Sequence, residues 1–155
     1  MSIDYPEHLR IQGRNRLSTK DFRPFGRLFR CFEKEDLDDF GCIKVETIKF
    51  PDFSCNWDRY SKPEDIRYRL NGRKSDGCYS ITVDISRYRK IATPVHDPIY
   101  DPPYENYAHV EVRVLKENED IYSEPEKGRK LYSKRKKLEY RQNIVNSSII
   151  ELHAE

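Results

Sequence analysis

Tyr107-Ala108-His109-Val110-Glu111-Val112-Arg113-Val114-Leu115 alternates small or apolar with polar side chains along its whole length. Successive side chains of a strand point to opposite faces, so Ala108, Val110, Val112 and Val114 look one way while Tyr107, His109, Glu111 and Arg113 look the other. A two-residue period implies one buried and one solvated face. That belongs to an antiparallel sheet, because parallel strands covered on both faces read as unbroken apolar runs. Tyr79-Ser80-Ile81-Thr82-Val83-Asp84-Ile85 repeats the pattern, with Tyr79, Ile81, Val83 and Ile85 on one face. Cys42 to Phe50 alternates over its first half and shifts phase at Ile48, which predicts a bulge or bend before Pro51. The three segments predict a small, mainly antiparallel sheet from about 42–50, 78–85 and 107–115.

The basic C-terminal region 129–155 provides the best helix, from Arg129 to Val145. Leu131, Leu138 and Val145 recur every seven residues there, and Ile144 widens the stripe. The fold class predicted is therefore α+β, a sheet with a C-terminal helix packed on it, and residues 1–155 read as a single domain. Phe22, Phe25, Leu28, Phe29 and Phe32 suit one face of a helix or an irregular aromatic plug, with Ser18-Thr19-Lys20-Asp21 able to cap a turn ahead of Pro24. Ser61-Lys62-Pro63-Glu64-Asp65-Ile66 reads as the start of a short helix, and Asn71-Gly72 and Asp76-Gly77 as turns. Pro94, Pro98, Pro102 and Pro103 forbid helix between Thr93 and Tyr107 and stiffen that loop.

Hydrophobic residues are 36% of the chain and charged residues another 36%, so chain entropy is opposed by little aliphatic surface. The 11 Tyr, 7 Phe and 1 Trp make up the difference, since each buries a large area. No apolar run approaches the roughly 20 residues of a membrane span, and Met1 to Tyr5 lacks the flank of a secretory signal. A cytoplasmic protein without membrane contact is expected. Cys31, Cys42, Cys55 and Cys78 have no metal-finger spacing and read as small apolar residues in a reducing compartment. No P-loop, dinucleotide glycine pattern or nucleophile elbow occurs, and no cofactor is expected.

Chemistry concentrates in Val95-His96-Asp97-Pro98 and in the first strand described. His96 and His109 are suited to act as acid and base in phosphoester cleavage, with Asp97 or Glu111 orienting a ring and Arg113 binding the phosphate. That reading needs His96 to fold over the His109 face. The same His and acid side chains suit a metal, but their spacing is not diagnostic and no metal is expected. The alternative makes His96-Asp97-Pro98 a capped turn and His109 a paired strand residue.

Val95-His96-Asp97-Pro98-Ile99, followed by Asn106-x-Ala108-His109-x-x-Val112, resembles an H-D-P … N-x-A-H block of small bacterial proteins of uncharacterised function. Phe53-Ser54-Cys55-Asn56-Trp57 and Lys62-Pro63-Glu64 resemble an S-V-D and a T-P-E stretch of the same proteins. The resemblance covers about residues 42–115. This chain departs from it by the insertion Tyr100 to Pro103 and by its basic tail. It implies a compact accessory protein of a bacterial cytosolic assembly, of the kind set beside mobile or defence systems, and carries no activity with it.

Charge is unevenly distributed. Residues 1–30 hold seven basic and three acidic side chains, as do residues 129–155, a net of +4 at each end; the stretch between them carries −6. Arg129, Lys130, Lys134, Arg135, Lys136, Lys137 and Arg141, with Tyr132 among them, suit nucleic acid or an acidic partner: the cations release counterions and the ring stacks on a base. Lys130, Lys134, Lys137 and Arg141 would form one helical stripe. Residues 1–20 read as a basic arm whose Arg10, Arg14 and Arg16 order on a partner, and Tyr100, Tyr104 and Tyr107 form a rigid Tyr/Pro surface for a larger protein. Composition and charge thus favour a non-enzymatic interaction module or accessory subunit, with a small metal-independent nuclease or phosphoesterase as the alternative.

Overall fold

Two edge strands and four inner ones carry the molecule in the computed structural model, which describes residues 6–67, 76–127 and 131–153. In chain order the elements are β1 (Arg27–Phe32), β2 (Asp52–Trp57), β3 (Gly77–Thr82), the single turn α1 (Val83–Ser86), β4 (Ala92–His96), β5 (Ile99–Asp101), β6 (Tyr104–Asn106), β7 (His109–Val114), α2 (Lys134–Ser147) and β8 (Ile149–Leu152). Six strands form one antiparallel sheet in the order β4-β7-β2-β1-β3-β8, and β5-β6 is a separate hairpin. The α+β class with a mainly antiparallel sheet and a C-terminal helix on it is what the alternation predicts. Among the described residues no helix is long and apolar enough to cross a membrane.

One sheet face is the core. Leu28 and Phe32 of β1, Phe53, Cys55 and Trp57 of β2, Tyr79 and Ile81 of β3, and Val110 and Val112 of β7 are buried there against Tyr140 and Ile144 of α2. Phe22 stacks on Trp57 with ring centroids 3.9 Å apart. The buried guanidinium of Arg87 donates to the carbonyls of Thr19 and Phe22 and to the Thr93 hydroxyl, tying the segment before β1 to β4. The other face has a smaller cluster of Phe29, Ile66 and Cys78, covered by the 3₁₀ turn Pro63–Arg67.

Several sequence expectations need correcting. Residues 42–50 are not a strand. The Asp38 carboxylate accepts from the amides of Phe40 and Cys42, Ile43 makes only a bridge to Leu37, and Val45–Thr47 is a 3₁₀ turn. Ile43 and Ile48 lie an odd number of residues apart, and the turn lets both enter the core. Phe22 to Phe32 is not a helix face. Only Phe22, Leu28 and Phe32 reach the main core, by strand alternation from Arg27 on, while Phe25 sits 88% exposed. Residues 53–57, not among the predicted strands, are central strand: Phe53, Cys55 and Trp57 alternate inward. Ser18 does cap a turn, closing a capping box over Thr19–Asp21. Asn71-Gly72 lies outside the described residues.

The α2 face also differs. Leu138 is 55% exposed, and Tyr140 and Ile144 are the residues buried. Tyr140 donates its hydroxyl to the Ser86 carbonyl, so a polar-tipped ring sets the helix rotation and the seven-residue Leu repeat does not.

Candidate functional site

β7 is flanked by hydrogen-bonded strands on both sides, which holds its side chains at fixed positions. Cross-strand partners share a face. His109 pairs with Asn56 and Glu111 with Ser54, away from the core, whereas His96 pairs with Val110, on the core face. His96 and His109 therefore do not meet. His96 is wholly buried, accepts from the Leu17 amide at Nδ1 (3.0 Å), and donates from Nε2 to the Tyr107 carbonyl (2.6 Å). Trp57, Tyr60 and Tyr107 surround its ring. Burial pushes its pKa down, which the bond to the Tyr107 carbonyl only partly offsets. A neutral ring with both nitrogens used is a bracket for three chain segments, and the acid–base pair is not assembled.

The second face does gather the remaining candidates. His109 Nδ1 donates to the Asp97 carbonyl (2.8 Å), which turns Nε2 toward Glu111 Oε1 at 3.2 Å. Ser54 donates to the same carboxylate at 2.6 Å. Burial alone would raise the Glu111 pKa; hydrogen bonds from His109 and Ser54 and the charges of His109 and Arg113 outweigh it and hold the group below the ordinary carboxylate range. Arg113 donates to Asp97 Oδ2 at 3.2 Å.

His109 and Glu111 line a cleft of about 460 Å³ with Ser54, Asn56, Arg30, Tyr104 and Asn106. The cleft exists because β1 and β2 pair only at Leu28–Trp57 and Phe29–Asn56 and then part. Arg30 fills the gap, donating to the Ser54 carbonyl that the ladder leaves free (2.9 Å) while its guanidinium lies 4.5 Å from the Phe53 ring centroid. Asn106 donates to Asn56 and, through its own carbonyl, accepts from the Ala108 amide. Sequence reasoning passed over Arg30, Ser54 and Asn56; the alternation Phe53-Ser54-Cys55-Asn56-Trp57 held the signal for the last two.

The other candidates scatter. Tyr104 and Tyr107 are buried, and Tyr107 donates its hydroxyl to the Asn15 carbonyl, so of the three tyrosines only Tyr100, 66% exposed on the β5-β6 hairpin, offers a surface. The N-terminal segment is not a free arm. Leu9 is buried, its carbonyl accepts from the Tyr107 amide, and Arg14 covers the Tyr107 ring at 3.7 Å while donating to the His8 and Arg10 carbonyls. Arg16 pairs with Glu124 (2.8 Å), and Arg10 lies 3.6 Å from Glu7.

At the C-terminal end, Ser133 caps α2. Lys134, Arg135 and Lys136 are exposed on its first turn, and Lys137 and Arg141 are half-buried. Arg141 rests over the Phe50 ring, and Lys136 over the Tyr132 ring. Arg129 and Lys130 lie outside the described residues. A groove of about 1100 Å³ runs beside this turn, lined by Arg89, Lys90, Arg135 and Lys136 together with Glu117, Glu119, Asp120 and Glu139.

The chain matches no known family model, and no curated protein or solved structure is significantly similar to it. The resemblance built on the His96 and His109 blocks therefore adds no activity, and function has to be argued from these side chains.

Proposed function

We propose that this protein is a non-enzymatic interaction module that docks a nucleic-acid backbone on the first turn of α2, as an accessory subunit of a larger cytosolic assembly. One observation carries the reading. Lys134, Arg135, Lys136 and Lys137 occupy the first turn and no acid does. The unpaired amides of a helix N-terminus already bear positive partial charge, so acids are favourable there and cations cost stability. A chain that keeps four cations in that turn sacrifices some stability of the free protein, and a phosphate backbone would recover it.

Arg89 and Arg135 share the Glu139 carboxylate, at 3.3 and 3.4 Å. Lys134, Lys136 and Lys137 form no ion pair among the described residues, which leaves them available. Lys90 is exposed beside them, on backbone with positive φ. Tyr132 stands at the same end, where a base could stack. Tyr100 supplies a separate exposed aromatic for the protein partner.

The test is a binding titration with fluorescent single-stranded and duplex oligonucleotides at several salt concentrations. Affinity should fall steeply with salt, and replacing Lys134, Lys136 and Lys137 by Gln should flatten the log–log slope by about two to three. Lys134→Glu should abolish most binding yet raise folding stability by about 0.5 kcal/mol. Binding that ignores salt, or a loss of stability in Lys134→Glu, would refute the reading.

A further inference from the structure

We propose that Asp97, His109 and Glu111 form a binding site for a divalent transition-metal cation of the zinc type, on the sheet face opposite α2. The site is independent of the nucleic-acid surface, which lies at the other side of the fold. Three observations converge on it.

The donor atoms are spaced for one ion. His109 Nε2 and Glu111 Oε1 are 3.2 Å apart. Two ligand atoms bound to the same tetrahedral zinc are separated by about 3.3 Å. The donors of all three residues lie within 4.8 Å of one another, and a rotation of the more exposed Asp97 side chain closes the third side. Rigidity comes from β7, which carries His109 and Glu111 two residues apart on one face of the sheet.

The imidazole is already oriented as a ligand. Its Nδ1–H is committed to the Asp97 backbone carbonyl at 2.8 Å, which leaves Nε2 as the metal-facing nitrogen. Such an outer hydrogen bond is what fixes tautomer and ring plane at histidine metal sites. Ser54 orients the carboxylate in the same way from Oε1.

One buried acceptor lacks a partner. Glu111 Oε2 is out of contact with solvent and makes no hydrogen bond. An anionic oxygen in that state is costly, and a cation bridging to it removes the cost. Arg113 at 3.2 Å and Lys127 at 3.9 Å from Asp97 Oδ2 compete for that ligand, which makes the site weaker than a closed structural one.

The test uses the full chain, stripped with a chelator and titrated with Zn²⁺ or Co²⁺ alone. Calorimetry should show saturable uptake of one ion per chain. His109→Gln, Glu111→Gln and Asp97→Asn should each weaken it at least about tenfold. The Co²⁺ adduct of the wild-type chain, which depends on no variant folding, should absorb in the visible without a thiolate charge-transfer band. Absence of saturable uptake, a thiolate band assigning the ion to the cysteines, or unchanged affinity in a correctly folded His109→Gln would each overturn the site.

Discussion

His96 and His109 show how little sequence proximity says about chemical proximity. They are close along the chain and share Asp97 as a near neighbour, yet the chain between β4 and β7, which forms the β5-β6 hairpin, delivers them to opposite faces of one sheet. Each histidine then meets a different fate. His96 is neutral and internal, and its pKa is depressed by burial. A group whose folded pKa lies below its unfolded one makes the protein less stable as pH falls, because the unfolded chain takes up the proton first. Stability should therefore begin to drop below about pH 6.5, the ordinary histidine value, and Glu111, also depressed, should add a second loss below about pH 4.3. His96→Gln should cost about 2 kcal/mol at pH 7.5 through lost hydrogen bonds and should lack the upper limb. Urea unfolding at pH 7.5, 6.5 and 5.5 checks this; an equal decline in wild type and variant would place the limb on another group. The cysteines add a second residue-scale point: burial pushes the Cys55 and Cys78 thiols up, in keeping with packing residues, while Cys42 is exposed.

At the scale of elements, alternation located β7 and most of β3, but it ran on into Val83–Ser86, which forms α1, and it was passed over in β2; helix faces were not legible. The β7 pattern is self-sufficient, because a two-residue period admits one assignment of faces. In α2 the repeat of Leu131, Leu138 and Val145 competed with Tyr140 and Ile144, and nothing local says that a tyrosine will outrank a leucine. What decides is that the ring fills the core beside Phe50 while its hydroxyl finds the Ser86 carbonyl. Substituting the two faces separates the alternatives. Leu138→Gln should change stability by less than about 0.5 kcal/mol, whereas Ile144→Ala should cost about 3 kcal/mol, both read from denaturant midpoints. The β1 to β3 pairing rests on Gly77 in a similar nonlocal way. A Cβ there would lie 2.6 Å from the Leu152 carbonyl of β8 and would overlap the Phe32 ring, so the glycine is required by close approach of chains distant in sequence.

For the whole molecule, the core of one sheet face reaches from β7 to α2, and Trp57 lies within it, stacked on Phe22. Helix and sheet have no separate cores, so loss of helical circular dichroism and the shift of Trp57 fluorescence on heating should coincide. Two resolved transitions would show that α2 melts by itself. The charge layout also resolves at this scale. The N-terminal basic region folds back, and two of its cations are paired, Arg16 with Glu124 and Arg27 with Glu151. Of the C-terminal cations, Arg135 is paired with Glu139, which Arg89 shares, and the proposed nucleic-acid surface rests on the ones left unpaired among the described residues.

The amino-acid order alone determined the class of fold, because the alternation along 79–85 and 107–115 points to antiparallel strands; that both faces of β3 and β7 are buried, and that Val83–Ser86 turn into α1, was decided by the tertiary structure. It also located the basic run from Arg129 to Lys137 and the residues that share a β7 face with His109, though not the start of α2 at Lys134. Which groups meet was decided only by tertiary structure. Convergence of Asp97, His109, Glu111 and Ser54 depends on strand order and register, set by pairing across more than fifty residues between β2 and β7. The burial of His96 depends on the N-terminal segment closing over it. Local pattern reports which way a side chain faces; it carries no information on what the long-range packing of the chain brings to meet it.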